Sequence, residues 1–176
     1  MKKQDISKNQ VKNIFLGIGS NLGNRIINIE NAKSHLLENN INFISVSNYY
    51  ETPSWPDPKK PKFINIILKA TCKYKPIEML ALCKNIETKL GRKKSPKNSP
   101  RVCDIDIIDF NSEIIHRKLG NNRLNIPHKR MHNRNFVLFP LYELDKDWVH
   151  PKLNRNIVNL LSNLTYEQLL SIKIAQ

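Results

Sequence analysis

Cysteine is scarce in this 176-residue chain, which holds only Cys72, Cys83 and Cys103. Their spacing fits neither a metal knuckle nor a Cys-x-x-Cys redox pair. An odd number of thiols in apolar settings points to reduced, buried cysteines and a cytoplasmic protein. No apolar run approaches membrane-spanning length, so a membrane is not an expected partner. The first thirteen residues are polar and lysine-rich with no apolar core, unlike a signal peptide. Residues 1–12 are expected to form a flexible tail, and 13–176 a single domain. There is no internal repeat and no long linker. No Gly-Lys-Ser/Thr occurs, which excludes a Walker A loop. Acidic residues are few, 15 Asp and Glu against 29 Lys and Arg, leaving a net charge of +14. That balance favours an anionic partner. Part of the excess follows a general abundance of Lys, Asn and Ile.

The few acids are placed informatively. Asp104 and Asp106 lie within Pro100-Arg101-Val102-Cys103-Asp104-Ile105-Asp106-Ile107-Ile108-Asp109-Phe110. The apolar, β-branched neighbours predict a strand. Residues two apart on a strand share a face, so both carboxylates point the same way. Two like charges so close repel, and partial burial adds to the cost. A divalent cation between them removes both problems. Hard oxygen ligands suit Mg²⁺, which completes its shell with phosphate and water. The competing reading is an edge strand with two solvated acids.

Periodicity organises the rest. Ile14 to Ile18 reads as a strand that ends in Gly19-Ser20-Asn21-Leu22-Gly23. A helix follows over 23–38, with Ile26, Ile29, Leu36 and Leu37 toward the core. Residues 43–50 read as a second strand, and 63–74 as a third. Between them runs a proline- and lysine-rich loop, 51–62. Pro76 opens a helix that reaches Leu90 and is capped by Gly91. Ile77, Leu80, Cys83, Ile86 and Leu90 line or flank one face of it. The order β-α-β-β-α-β is that of a ferredoxin-like α+β fold, helices packed on an antiparallel sheet. Beyond it, 113–115 reads as a short strand, 136–144 as a helix, and the stretch from Asn156 as amphipathic helix.

Two basic clusters stand near the aspartates in sequence. Arg92, Lys93, Lys94, Lys97 and Arg101 precede them. His128, Lys129, Arg130, His132 and Arg134 follow. Cations beside a metal-binding pair are what a triphosphate requires. His128 and His132 are four apart, but no glutamate follows His128 and Pro127 opposes a helix, so zinc is disfavoured. Glu87, late in the second helix, reads alone as a surface residue. The glycines of Gly17-x-Gly19-x-x-x-Gly23 read as a tight turn rather than a dinucleotide site. An RNA-binding reading is opposed by the paired aspartates, which would repel phosphate in the absence of metal.

Taken as a set, these residues resemble the 6-hydroxymethyl-7,8-dihydropterin pyrophosphokinase family. The resemblance rests on Gly19-Ser20-Asn21-Leu22-Gly23-Asn24, Tyr50-Glu51-Thr52-Pro53, Phe63-Ile64-Asn65, Ile86-Glu87 with Gly91-Arg92, the Pro100–Ile107 segment, and Pro127-His128 with Asn133 to Leu141. It implies diphosphate transfer from ATP, the co-substrate, to the hydroxymethyl group of the pterin, with release of AMP, in folate biosynthesis. It also implies two Mg²⁺ ions on Asp104 and Asp106, with Arg92 and Arg101 as catalytic partners. The matching ATP positions are Glu87, Arg92, Arg101, Ile107, His128 and Arg134. Those of the pterin pocket are Thr52, Pro53, Trp55, Phe63, Asn65 and Phe136. A monomer with no nucleic-acid or membrane partner is expected. Loops 51–62 and 91–100 are expected to close over the substrates. The chain departs from the family pattern at Asn98-Ser99, where Trp-Gly is frequent. Lys94 and Trp55 replace an arginine and a smaller aliphatic residue, and Lys129 stands where some relatives have tyrosine.

Overall fold

The computed structural model describes residues 10–93, 95–96, 98–119 and 122–175. Lys94 and Lys97 of the basic loop, and residues 1–9 of the expected tail, lie outside the described residues. The first strand begins at Lys12, the last residue of the stretch expected as tail.

That strand, β1 (Lys12–Ser20), is followed by helix α1 (Arg25–Glu38), whose N-cap Asn24 accepts from Ile27 N. Next come β2 (Asn42–Val46), β3 (Tyr50–Thr52) and β4 (Phe63–Cys72). Helix α2 (Pro76–Lys89) starts at its proline, whose missing N–H costs nothing at that position. It leads to β5 (Asp104–Phe110). The βαββαβ order holds, with one strand split in two. The expected strand over 43–50 breaks at Ser47, where Ser47 N donates to Ile67 O and Ser47 Oγ accepts from Ile67 N. A side chain thus mends the ladder while the chain shifts register from β2 to β3.

The sheet is antiparallel, ordered β10–β3–β4–β1–β5, with β2 also beside β4 and β10 (Lys173–Ile174) closing one edge. One face carries Ile14, Leu16, Ile18, Ile64, Ile66, Leu68, Ile105 and Ile107, packed under α1 and α2. The α1 stripe is Ile29, Ala32 and Leu36. Ile26 and Leu37, expected inward, are exposed. On α2, Met79 and Leu82 join the expected Cys83 and Ile86 in the core, with Ile77, Leu80 and Leu90 partly buried. All three cysteines are buried and unpaired.

The opposite face is covered too. Helix α3 (Asn135–Leu144) packs Val137, Leu138 and Leu141 on Phe15, Ile67 and Ile108, with Trp148, Ile157 and Leu160 behind them. Glu143 anchors α3 to the sheet by accepting from Asn48 N, Asn48 Nδ2 and Tyr50 Oη. Between β5 and α3 lie a hairpin, β6 (Ile115–Leu119) and β7 (Asn122–Ile126), and a 3₁₀ turn over Met131–Asn133. The short strand read over 113–115 is replaced by this hairpin. After α3 come a two-residue pair, β8 (Val149–His150) and β9 (Arg155–Asn156), then α4 (Ile157–Leu161) and α5 (Tyr166–Leu170). Burial on both faces explains the nearly unbroken apolar run of β1. No helix among the described residues is long and apolar enough to cross a membrane.

Candidate active site

The α3 face of the sheet is apolar at one end only. At the other end Asn65, Gly19 and Asp104 stand in one row across β4, β1 and β5. Ile67, Gly17 and Asp106 form the next row. Directly opposed residues share a face, so the glycines leave a trough between the amide of Asn65 and the two carboxylates. The backbone approach at Gly19 is close: a Cβ there would meet Asn65 Oδ1 at 2.7 Å.

Cations surround the carboxylates. An Arg92 guanidinium nitrogen donates to Asp104 Oδ1 and lies 2.7 Å from Glu87 Oε2. Arg101 Nε lies 3.0 Å from Asp104 Oδ2, yet it is buried without a hydrogen-bond partner among the described residues. The contact is one of charge rather than of aligned donor and acceptor. His128 Nε2 and Arg134 Nη1 each lie 3.9 Å from Asp106 Oδ2. Burial raises the Asp104 pKa, but Arg101 and Arg92 beside it outweigh that and hold it below the ordinary carboxylate value. For His128, burial pushes the imidazole below its usual pKa despite Asp106. Asp104 is therefore suited to the charged form, and His128 to the neutral one, at neutral pH.

Glu87 sits differently from the expectation that it meets ATP. It is 1% exposed, and its carboxylate is engaged by Lys84 Nζ at 2.8 Å and Ile105 N at 2.8 Å. Burial raises its pKa more than Lys84 lowers it. Its direct work is to bind β5 and Arg92 to α2. Ile107 also turns its side chain into the α1–α2 core. Ile105 gives its N–H to Glu87 beyond the outer edge of β5. Alternation therefore gives Ile107 main-chain groups on that same edge.

The residues expected at the pterin divide into two sets. Thr52 is buried and its Oγ1 accepts from Asn65 Nδ2 at 3.2 Å. Thr52 pairs with Phe63 across β3 and β4. The Arg101 guanidinium lies 5.3 Å from the Phe63 ring centroid, and that of Arg134 lies 5.3 Å from Phe136. Each aromatic is thus tied to a site arginine. Pro53 follows Thr52 into the loop. Trp55 stands apart at 72% exposure. His132 also turns away, its ring 6.1 Å from that of His150.

Sequence reasoning assigned no role to Asn21, which it quoted only within a motif, or to Lys84. Asn21 lies in a Gly-Ser-Asn turn, where an amide is unremarkable. Lys84 stands three residues before Glu87 on α2, a spacing that itself signals an ion pair.

Residues 15–146 match the family described as 7,8-dihydro-6-hydroxymethylpterin-pyrophosphokinase (HPPK). The 2-amino-4-hydroxy-6-hydroxymethyldihydropteridine pyrophosphokinase of Aquifex aeolicus is 36% identical over 138 residues, covering 78% of this chain and 83% of the relative. That of Synechocystis is 33% identical over 156 residues, with coverage of 88% and 77%. The folic acid synthesis protein fol1 of Schizosaccharomyces pombe is 32% identical over 166 residues, and the chain spans 22% of that longer protein. Among solved structures, wild-type Plasmodium falciparum HPPK-DHPS superposes with a TM-score of 0.70 at 18% identity, covering 88% of this chain and 41% of that one. The structural likeness establishes the fold, the sequence match establishes descent, and this chain belongs to the 7,8-dihydro-6-hydroxymethylpterin-pyrophosphokinase family.

Proposed function

We propose that the protein transfers the terminal diphosphate of ATP to the hydroxymethyl oxygen of 6-hydroxymethyl-7,8-dihydropterin, releasing AMP, as a step of folate biosynthesis. The observation that carries this reading is the Asn65–Gly19–Asp104 row, which sets an amide reader and an anionic pair at opposite ends of one trough. Family membership supplies the substrates.

The donor set fits a divalent cation. Asp104 and Asp106 offer hard oxygens, and no cluster of three or more His, Cys, Asp or Glu among the described residues is arranged to enclose a metal. Two carboxylates with an incomplete shell match Mg²⁺, which keeps positions for phosphate and water. Asp104 and Asp106 would hold it, two ions by the family resemblance, and when bound it supplies charge neutralisation at the phosphates and acidifies the hydroxyl.

In the reaction the pterin oxygen bonds to the β-phosphorus, the bond from that phosphorus to the AMP oxygen breaks, and the hydroxyl proton leaves to water. The protein contributes position and charge. Arg92 and Arg101 present planar donors that donate to phosphate oxygens as readily as to carboxylate. Neutral His128 donates one hydrogen bond to a phosphoryl oxygen, and Arg134 adds fixed charge. Asn65, steadied by Thr52, reads the amide edge of the pterin ring, with Phe63 and Phe136 as its faces. The main chain of Ile107 meets the nucleotide base at the outer edge of β5. Buried unpaired cysteines support a reducing, cytoplasmic setting, and a monomer suffices, since both groups of site residues come from one chain.

The test is chromatography of nucleotides after incubation with ATP, Mg²⁺ and 6-hydroxymethyl-7,8-dihydropterin. AMP is expected to form only when the pterin and Mg²⁺ are both present. ADP as the product, or AMP formed equally without pterin, would overturn the reading.

A further inference from the structure

Asn21, the residue after β1, is 2% exposed. Its side-chain amide is fully engaged. Nδ2 donates to Ser54 Oγ at 3.3 Å and to Pro61 O at 3.1 Å. Oδ1 accepts from Arg101 N at 2.7 Å. The Asn21 main-chain N–H donates to Arg101 O at 3.1 Å. The amide's orientation is settled by chemistry, because Pro61 O only accepts and Arg101 N–H only donates. Ser54 Oγ also donates to Pro61 O at 2.5 Å. One buried amide therefore ties both ends of the loop beyond Thr52 to the main chain of the arginine beside Asp104. A second link between these loops, Lys60 Nζ to Asn98 O at 3.3 Å, is only partly buried.

We propose that Asn21 is a positioning residue that couples the two substrates, so that nucleotide and pterin each raise the affinity for the other. This rests on the reading above, in which Thr52 to Asn65 face the pterin and Arg101 faces phosphate. Asn21 touches neither substrate on that reading; it acts through Arg101 and through Ser54 and Pro61. A phosphate that fixes the Arg101 guanidinium also restrains its main chain, which holds the Asn21 amide in the orientation that receives the loop. Pterin binding then orders fewer free groups and loses less entropy. The effect is reciprocal by thermodynamic necessity.

Two variants cut the link on its loop side. Asn21→Asp keeps an oxygen for Arg101 N but removes both N–H donors. Ser54→Ala removes the hydroxyl and leaves Asn21 in place. The experiment is calorimetric titration of 6-hydroxymethylpterin, with and without saturating Mg²⁺ and α,β-methylene-ATP, whose bridging carbon blocks transfer. In wild type the nucleotide analogue is expected to tighten pterin binding by about tenfold or more, within the usual range of coupling between sites. In both variants that factor should fall below about threefold, while affinity for the nucleotide analogue alone stays within about threefold of wild type. Thermal melting identifies a variant that fails to fold, and Ser54→Ala then decides alone. Undiminished coupling in a folded variant overturns the proposal, and so does a wild type that binds both ligands independently. Equal loss of nucleotide and pterin affinity with coupling intact marks a purely structural amide and overturns it as well. A wild type that binds neither ligand removes the functional reading itself, and this inference with it.

Discussion

Gly19 stands directly opposite Asp104 across the β1–β5 pair, and its other neighbour in the row is Asn65. Only a residue without a side chain keeps that row open. A Cβ at position 19 would lie 2.7 Å from Asn65 Oδ1, so Asn65 must move and strain its bond to Thr52. Gly19→Ala is expected to raise the KM for pterin about tenfold and to cost about 1–3 kcal/mol of stability from overpacking. Steady-state kinetics and denaturant unfolding check both. An increase confined to the KM for ATP would contradict the assignment of Asn65 to the pterin.

Trp55 is exposed, whereas the other tryptophan, Trp148, is buried and donates Nε1 to Asp109 at 2.8 Å. If loop 53–62 closes over the pterin, Trp55 supplies a stacking face, and Asn98-Ser99 offers no aromatic to replace it. Trp55→Ala is expected to weaken pterin binding about three- to tenfold, the range of a single aromatic pair, and to leave the melting temperature unchanged. Titration with pterin in the presence of the ATP analogue measures the first effect. Unaltered affinity would exclude Trp55 from the pocket.

His150 makes a prediction about pH. Its Nδ1 accepts from Lys152 N and Leu153 N, both at 3.2 Å. Burial is the main cause that pushes its pKa below the ordinary value, and His132 and Lys152 add to the shift. The unfolded chain takes up this proton near pH 6.5, the folded chain only below it. Protons therefore favour unfolding in that interval. Its contribution is absent above about pH 6.5 and becomes a penalty as pH falls toward the folded value. Denaturant midpoints are expected to drop between pH 7.5 and 5.5, and less so in His150→Asn, which retains an acceptor. Equal slopes in the two proteins would show that other groups carry the acid sensitivity.

How far the sequence discloses all this depends on the range of the interactions. Strands β1, β4 and β5 and helices α1 and α2 follow from periodicity because their burial is one-sided or complete. The same alternation set Asp104 and Asp106 on one face. Ile26 and Leu37 mislead because α1 buries the small Ala32 instead, a choice made by the sheet beneath it. The β6–β7 hairpin carries His116, Arg117, Lys118 and Arg123, too polar to read as strand, and its form depends on cross-strand pairing. Glu87 is identifiable as special only through the family resemblance. Its burial depends on Lys84, Arg92 and β5 meeting in space. Asn21 was hidden for the same reason: its partners lie 33, 40 and 80 positions away.

The central claim is that Asp104 and Asp106 form the charged end of a two-substrate trough. Pterin-dependent AMP release, compared among wild type, Asp104→Ala and Asp106→Ala, tests it most directly. Both variants are expected to keep the wild-type circular dichroism spectrum and to lose activity by about a thousandfold or more, as when a group essential to transition-state charge is removed. Wild-type turnover in either folded variant would contradict the account.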